Sequence, residues 1–377
     1  MNGSIRRRTK NSWELTIDLG RDAQGMRLRK YVNVKGKKAD AERQLRELLG
    51  SLDRGIPINI EKVTVGDWVD GWLKEHVIPN RRQRTAERYR DIVRKHIKPY
   101  IGHVQLSRLT PTDIKSLESE WGNRGMSATG VTYAHRILSA ALKYAVKMEV
   151  LYRNPVQVVD PPRVEKREVQ PPDVGTVNGI LTALEKEGDR FFPALRLIAY
   201  SGIRRGECLG LHWQQVDFTR QEITIVKSLV RSADKGLILE PPKSRASRRV
   251  IDLDGGTMEV LREHKVRQME HRLLLGQNYA DHDLVFPDEF GRPLNPMALT
   301  RALNRATKRV GTDGIKLHDL RHFHASLLLQ SGQNPVLVSK RLGHSAVSMT
   351  LDIYGHLMPG WQKEAAEVFA KAMSQGS

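Results

Sequence analysis

The sequence predicts a multidomain α+β protein: a small β-sheet-plus-helix module, then an all-helical module, then a larger mixed module that is mainly helical. Three observations lead there. Apolar residues alternate with period two between Ser12 and Lys35, recur at helical spacing from Thr64 to Lys147, and mix both patterns after Asp160. Two linker-like stretches, Gly55-Ile56-Pro57-Ile58-Asn59 and Asp160-Pro161-Pro162-Arg163-Val164-Glu165-Lys166, separate them and place the modules at 1–55, 62–160 and 166–377.

In the first module Trp13, Leu15, Ile17 and Leu19 share one face of a strand. After a turn at 21–25, Met26, Leu28, Val32 and Val34 alternate with Arg27, Arg29, Tyr31, Asn33 and Lys35, so the partner strand has a greasy face and a cationic one. The cationic face suits phosphates and base edges, although a structural cap with incidental arginines is the plainer reading. Lys38–Leu49 reads as a helix whose Ala41, Leu45, Leu48 and Leu49 cover the greasy face.

The second module opens on a capping box, Thr64-Val65-Gly66-Asp67. Further helices are predicted at 85–97, 111–121 and 128–147, the last ending before Asn154-Pro155. Arg81, Arg82, Arg84, Arg88, Arg90, Arg94, Lys95 and Lys98 crowd its exposed positions, a density suited to tracking a duplex backbone. Arg84 and Arg88 are taken as DNA-contact candidates beside Arg27, Arg29, Tyr31 and Lys35. Strands are predicted in the third module at 222–230, 236–239 and 248–253.

Composition narrows the function classes. Lys plus Arg number 62 against 43 Asp plus Glu, a formal net charge of +19, which makes nucleic acid the leading partner and a membrane surface a weaker one. The single cysteine, Cys208, excludes a disulfide framework and a Cys-based zinc site within one chain and reads as a core residue. No apolar run approaches the ~20 residues needed to span a bilayer, and the basic N-terminus lacks an apolar stretch behind it. A cytoplasmic protein is expected.

Four short motifs carry chemistry: Ser201-Gly202-Ile203-Arg204-Arg205-Gly206-Glu207, His318-Asp319-Leu320-Arg321-His322, Leu342-Gly343-His344, and Tyr354 close to the C-terminus. Each alone is weak, since an Arg beside a tight turn is usually a capping or surface residue that Glu207 could pair. His318 and Arg321 lie one helical turn apart, and an Arg on that face disfavours reading the histidines as metal ligands.

In this order and spacing the four motifs resemble the tyrosine recombinase, or phage-type integrase, family. The likeness is strong for 165–377, fair for the helical module and weaker for the first. It implies a catalytic set of Arg204, Lys243, His318, Arg321, His344 and Tyr354, with Lys243 on a β-hairpin in Glu240-Pro241-Pro242-Lys243-Ser244-Arg245; Lys235 and Arg245 are the alternatives. Ser201 and Ile203 stand where the family has Thr and Leu or Met. The first module is similar to the arm-site-binding domain of phage and conjugative-transposon integrases, a three-stranded sheet plus helix. The second corresponds to an all-α, SAM-like core-binding bundle, and the third to the mixed, mainly α catalytic domain.

The chemistry the resemblance implies is attack by Tyr354 on DNA to form a 3′-phosphotyrosyl link, later resealed by a 5′-hydroxyl, with no metal or other cofactor. Two arginines suit this because planar guanidiniums can hold both non-bridging oxygens as charge grows in the transition state. His318 is the candidate general base, Lys243 the candidate acid for the departing 5′-oxygen, and His344 a donor to the phosphate. Double-stranded DNA at core and arm sites is the implied partner, together with a homotetramer assembled through the C-terminal helix and with accessory bending and excision factors. Trp361, Ala365, Val368, Phe369 and Ala372 recur at helical spacing on that helix. A type IB topoisomerase shares the chemistry, and a non-catalytic DNA-binding protein would need only the basic modules.

Overall fold

Three antiparallel strands open the chain, β1 (Gly3–Thr9), β2 (Ser12–Arg21) and β3 (Arg27–Lys35), in the order β1-β2-β3. The structure is a computed structural model that describes residues 3–21, 26–53, 63–165, 170–232, 236–241, 248–355 and 361–374. Two compact units result, Met1–Lys166 and Arg167–Ser377.

Helix α1 (Lys38–Asp53) lays Ala41, Leu45 and Leu48 on Leu15, Ile17 and Val34 of the sheet. The opposite face pairs Asp18 with Arg29, Thr16 with Tyr31 and Ser12 with Lys35. Strand β1 escapes the period-two reading because Gly3–Thr9 holds one large apolar residue, Ile5, and is largely exposed. Met26 departs from the expected greasy face: it precedes β3 and is 70% exposed.

The helical bundle comprises α2 (Val65–Trp72), α3 (Ile78–Asn80), α4 (Gln83–Ile92), α5 (Lys98–Ile101), α6 (Pro111–Asn123) and α7 (Ala128–Lys147). Capping boxes at Thr64/Asp67 and Thr110/Asp113 begin α2 and α6. The helix expected at 85–97 is interrupted: Val93–Ile97 forms a π turn, as Leu73–Val77 does before α3. Pro99 and Pro79 follow these turns, and neither has an N–H to continue an α-helical ladder. The Trp121 indole N–H closes on the His96 carbonyl at 2.8 Å, and that of Trp68 on Ala141 at 2.9 Å. The apolar stripe of α7, from Val131 to Ala145, fills the core.

The second unit comprises α8 (Val174–Lys186), α9 (Phe192–Ser201), α10 (Arg205–Leu209), the strands β4 (Val216–Asp217), β5 (Glu222–Ile225), β6 (Ser228–Ser232), β7 (Gly236–Glu240) and β8 (Arg249–Asp252), and then α11 (Gly255–Leu275), α12 (Pro296–Arg309), α13 (Leu317–Gln330), α14 (Pro335–Leu342), α15 (Val347–Tyr354) and α16 (Trp361–Ser374). The single strand expected at 222–230 is two strands in separate sheets, β4-β5-β8 and β6-β7. Ile223, Ile225 and Leu229 keep one period-two register across Lys227, and a single charged residue in a strand does not by itself mark a break. Cys208 is fully buried in this unit's core, where burial pushes its thiol up from its ordinary range.

Candidate active site

Helices α9 and α14 end on left-handed glycines, and the two arginines of the motifs attach there. Gly202 closes α9 with φ of 67°, and Gly343 closes α14 with φ of 68°. A Cβ on Gly202 would stand 2.8 Å from both His324 Cδ2 and Leu342 Cδ2, so backbone conformation and close packing both call for glycine.

Arg321, 2% exposed on α13, donates to the Gly202 carbonyl at 2.6 Å and to the Leu342 carbonyl at 2.8 Å. Arg204, at the N-cap of α10, donates reciprocally to the Gly343 carbonyl at 3.1 Å. Each motif arginine is thus held by the glycine turn of another motif. Burial, and then the positive charge of Arg204, pushes Arg321 down to about 9, which leaves it charged at neutral pH.

Glu207 completes the platform. It is 4% exposed, pairs with Arg204 at 2.8 Å and with Arg249 at 2.9 Å, and accepts from the Arg204 backbone N–H at 2.9 Å. Burial opposes its charge, but the hydrogen bonds and charge of Arg249, with Arg204 beside it, outweigh that and hold the carboxyl below its ordinary range. Arg249 also donates to the Arg341 carbonyl at 2.6 Å. Arg341 in turn donates to His324 at 3.0 Å and to the Asp252 carbonyl at 3.0 Å.

Tyr354 ends α15 with its ring in a small apolar cluster of Ala325, Leu329, Val338 and Leu342. Its hydroxyl hydrogen-bonds to Nδ1 of His322 at 2.6 Å. Burial pushes the phenol up to about 12, only partly opposed by Arg321. His318 stacks edge to face against His322 with ring centroids 4.6 Å apart. Partial desolvation, then His322, Arg321 and Arg204, lowers His318 below its ordinary range. His344, half-buried, hydrogen-bonds through Nδ1 to Thr350 at 2.8 Å and is lowered to about 4 by burial, then by Arg321 and Arg204.

Arg204, His318, Arg321, His344 and Tyr354 therefore meet around the ends of α9, α13, α14 and α15. Lys243, and with it Lys235 and Arg245, lies outside the described residues. The strands flanking Lys243, β7 and β8, pair with β6 and β5 rather than with each other, unlike the hairpin expected there. Among the DNA-contact candidates Arg29, Tyr31, Lys35, Arg84 and Arg88 are exposed, with Arg88 lying 4.1 Å over the Tyr133 ring; the Arg27 side chain lies outside the described residues. Arg94 and Lys98 instead pair with Asp91 and Asp70. Of the C-terminal stripe, Phe369 is 68% exposed, and the side chains of Trp361, Ala365, Val368 and Ala372 are outside the description.

Sequence reasoning missed His322, Arg249 and Arg341. The i, i+4 spacing of His318 and His322 was a usable signal for the first, because it puts both imidazoles on one helix face. Nothing local marks Arg249, whose partners are 42 and 92 residues away. Among the described residues no group of His, Cys, Asp and Glu is arranged to hold a metal ion, and no helix is long and apolar enough to cross a membrane.

The model of the phage integrase family matches residues 175–360, and that of the phage integrase N-terminal SAM-like domain matches 64–121. A XerC-like tyrosine recombinase of Caldanaerobacter subterraneus is 29% identical over 95% of both chains. The ICEBs1 integrase of Bacillus subtilis is 27% identical over 73% of this chain and 74% of its own. Among solved structures, the Tn1549 transposon integrase in complex with a circular intermediate DNA shares the fold with a TM-score of 0.67, at 19% identity over 82% of this chain and 99% of that one. A lambda integrase dimer bound to a core site does so with a TM-score of 0.56, at 18% identity over 93% and 94%. With two glycine-anchored arginines beside a C-terminal tyrosine, and with both family models matching in order, the chain belongs to the phage integrase family of tyrosine recombinases.

Proposed function

We propose that the protein is a site-specific DNA recombinase that integrates or excises a mobile element, with Tyr354 as the nucleophile. The observation that carries this reading is the convergence of two guanidiniums, Arg204 and Arg321, each tied to a glycine turn, beside the Tyr354 phenol. A phosphodiester seated there meets two fixed positive forks, and little reorganisation is needed as charge builds on its oxygens. Attack forms the Tyr354 Oη–P bond and breaks the P–O5′ bond, leaving a 3′-phosphotyrosine and a free 5′-hydroxyl. Phosphodiester replaces phosphodiester, so the reverse attack by an incoming 5′-hydroxyl rejoins the strands without an outside energy source.

In this reading Lys243 protonates the leaving 5′-oxygen, His344 donates to the phosphate oxygens, Glu207 and Arg249 hold Arg204 in place, and His318, the general base that the resemblance implies, lies beside His322, the imidazole in contact with the Tyr354 hydroxyl. Residues 62–160 grip the core site, with Arg84 and Arg88 on the backbone, while residues 1–55 take a separate arm site through Arg27, Arg29, Tyr31 and Lys35. The catalytic domain at 166–377 acts within a tetramer on DNA, coupled through the exposed face of α16, with bending and excision factors as further partners. It works in the cytoplasm, where its DNA lies.

The test is a nicked duplex spanning the sequence that the full chain protects from nuclease. The parent should form a covalent protein–DNA adduct and, with two marked duplexes, exchanged strands. Adduct from Tyr354→Phe equal to the parent would overturn the assignment, and DNA relaxation without exchanged strands would favour the topoisomerase reading.

A further inference from the structure

We propose that His322, one helical turn beyond His318, is the group that takes the phenolic proton of Tyr354 and returns it on rejoining. The inference rests on the reading of Tyr354 as the nucleophile. Its ground is contact: among the described residues the imidazole hydrogen-bonded to the Tyr354 hydroxyl is His322, at 2.6 Å through Nδ1.

The surroundings suit the role. With the ring neutral and its proton on Nε2, Nδ1 is the acceptor for the phenolic O–H at this contact. Burial keeps His322 below its ordinary range, with Asp319 opposing and Arg321 assisting, so the ring is an open acceptor at neutral pH. Tyr354 itself is pushed up by burial, so attack needs an acceptor in direct contact. The groups facing His322 are His318, Asp319 and Arg321 on its own helix and Tyr354 from α15. His318 and His322 stand edge to face, and a proton on one disfavours a proton on the other. While His322 holds the phenolic proton, His318 therefore stays neutral.

The step balances. The Tyr354 O–H proton passes to Nδ1 of His322, Oη forms its bond to phosphorus, and the bond to the 5′-oxygen breaks with that oxygen protonated by the acid. On rejoining, the 5′-hydroxyl gives its proton back to the deprotonated acid as its oxygen bonds to phosphorus, the Oη–P bond breaks, and the imidazolium of His322 reprotonates Oη.

The experiment measures the rate of adduct formation on the protected-sequence nicked duplex against pH, for the full chain carrying His322→Ala or His322→Asn. Asn can still accept the hydroxyl hydrogen bond from near the Nδ1 position but cannot take up its proton. Both variants should be slowed about 100-fold at neutral pH, the size usual for general base catalysis. The deficit should shrink as pH rises toward phenol ionisation, and added imidazole should restore part of the rate in the Ala variant. His322→Asn as fast as the parent would reduce the residue to a positioning contact, and a faster His322→Ala would make it a restraint; either overturns the proposal. Unchanged nuclease protection and circular dichroism show that each variant folds. Adduct in the parent and none in Tyr354→Phe keeps the nucleophile assignment separate from this outcome.

Discussion

Arg321 donates to the Gly202 carbonyl across 119 residues of chain, at 2.6 Å. That bond ties the glycine turn of one motif to the arginine of another. A carbonyl that ends α9 lacks a helical partner, and a buried guanidinium needs acceptors; each meets the other's need. Leu342 and Gly343 repeat the arrangement at the end of α14, for Arg321 and Arg204 in turn.

Gly202→Ala should therefore cost both stability and activity. The left-handed backbone and the contacts at 2.8 Å with His324 and Leu342 together give a loss of roughly 2–4 kcal/mol. Urea denaturation measures the first effect. The adduct assay measures the second, which should fall further than the folded fraction because the carbonyl that orients Arg321 shifts. An Ala variant with parental stability would mean that α9 can unwind there without penalty.

Glu207→Gln should separate charge from shape. Gln keeps a carbonyl acceptor but removes the carboxylate charge that pairs with Arg249, whose side chain is 7% exposed. Breaking such a buried pair costs roughly 3 kcal/mol. Because the folded carboxyl is held below its ordinary range, its contribution is present above the unfolded-state pKa and is lost as pH falls through the lower folded value. The parent should lose stability on that acid limb, and Glu207→Gln should lose less there. Identical acid limbs in denaturation curves would refute the assignment.

A second acid-sensitive element lies higher in pH. His324 is 8% exposed, donates through Nδ1 to the Ala199 carbonyl at 3.2 Å, and accepts from Arg341 at Nε2. Burial and then Arg341 press it from 6.5 to about 4. Its folded pKa is depressed, so the unfolded chain takes up the proton first, and stability declines as pH falls from 6.5 toward 4. The window is worth at most about 3 kcal/mol. A His324→Asn variant should be less stable at pH 7 and show a flatter curve between pH 6.5 and 4; an unchanged slope would assign the acid loss to other histidines.

Much of this was legible in the sequence for one reason: the decisive signals are local. The stripe from Val131 to Ala145, the box at Thr64, and the alternation around Leu15 and Ile17 each lie within a single element. The motif residues too fell where short patterns put them, at turns and on one face of α13. What stayed hidden depends on contacts between distant segments. Arg249 matters through Glu207 and Arg341, and the break between β5 and β6 is set by which sheet each strand joins. His322 stood in plain view within its motif, but its role depends on where α15 brings Tyr354.

The bundle arginines proposed to meet the duplex offer a last test because Arg84 and Arg88 differ in how they are held. Arg84 is exposed, whereas Arg88 lies 4.1 Å over the Tyr133 ring. A stacked guanidinium loses less side-chain freedom on meeting a phosphate, so Arg88 should contribute more affinity than Arg84 while releasing the same counterion. Arg84→Ala and Arg88→Ala should each flatten the slope of log affinity against log salt by about 0.9 for a duplex. Tyr133→Leu should weaken affinity while leaving the slope unchanged, because it removes the support and not the charge. If Arg88→Ala left the slope untouched, its stack on Tyr133 would be packing alone, and the backbone contact would have to come from other arginines of 81–94.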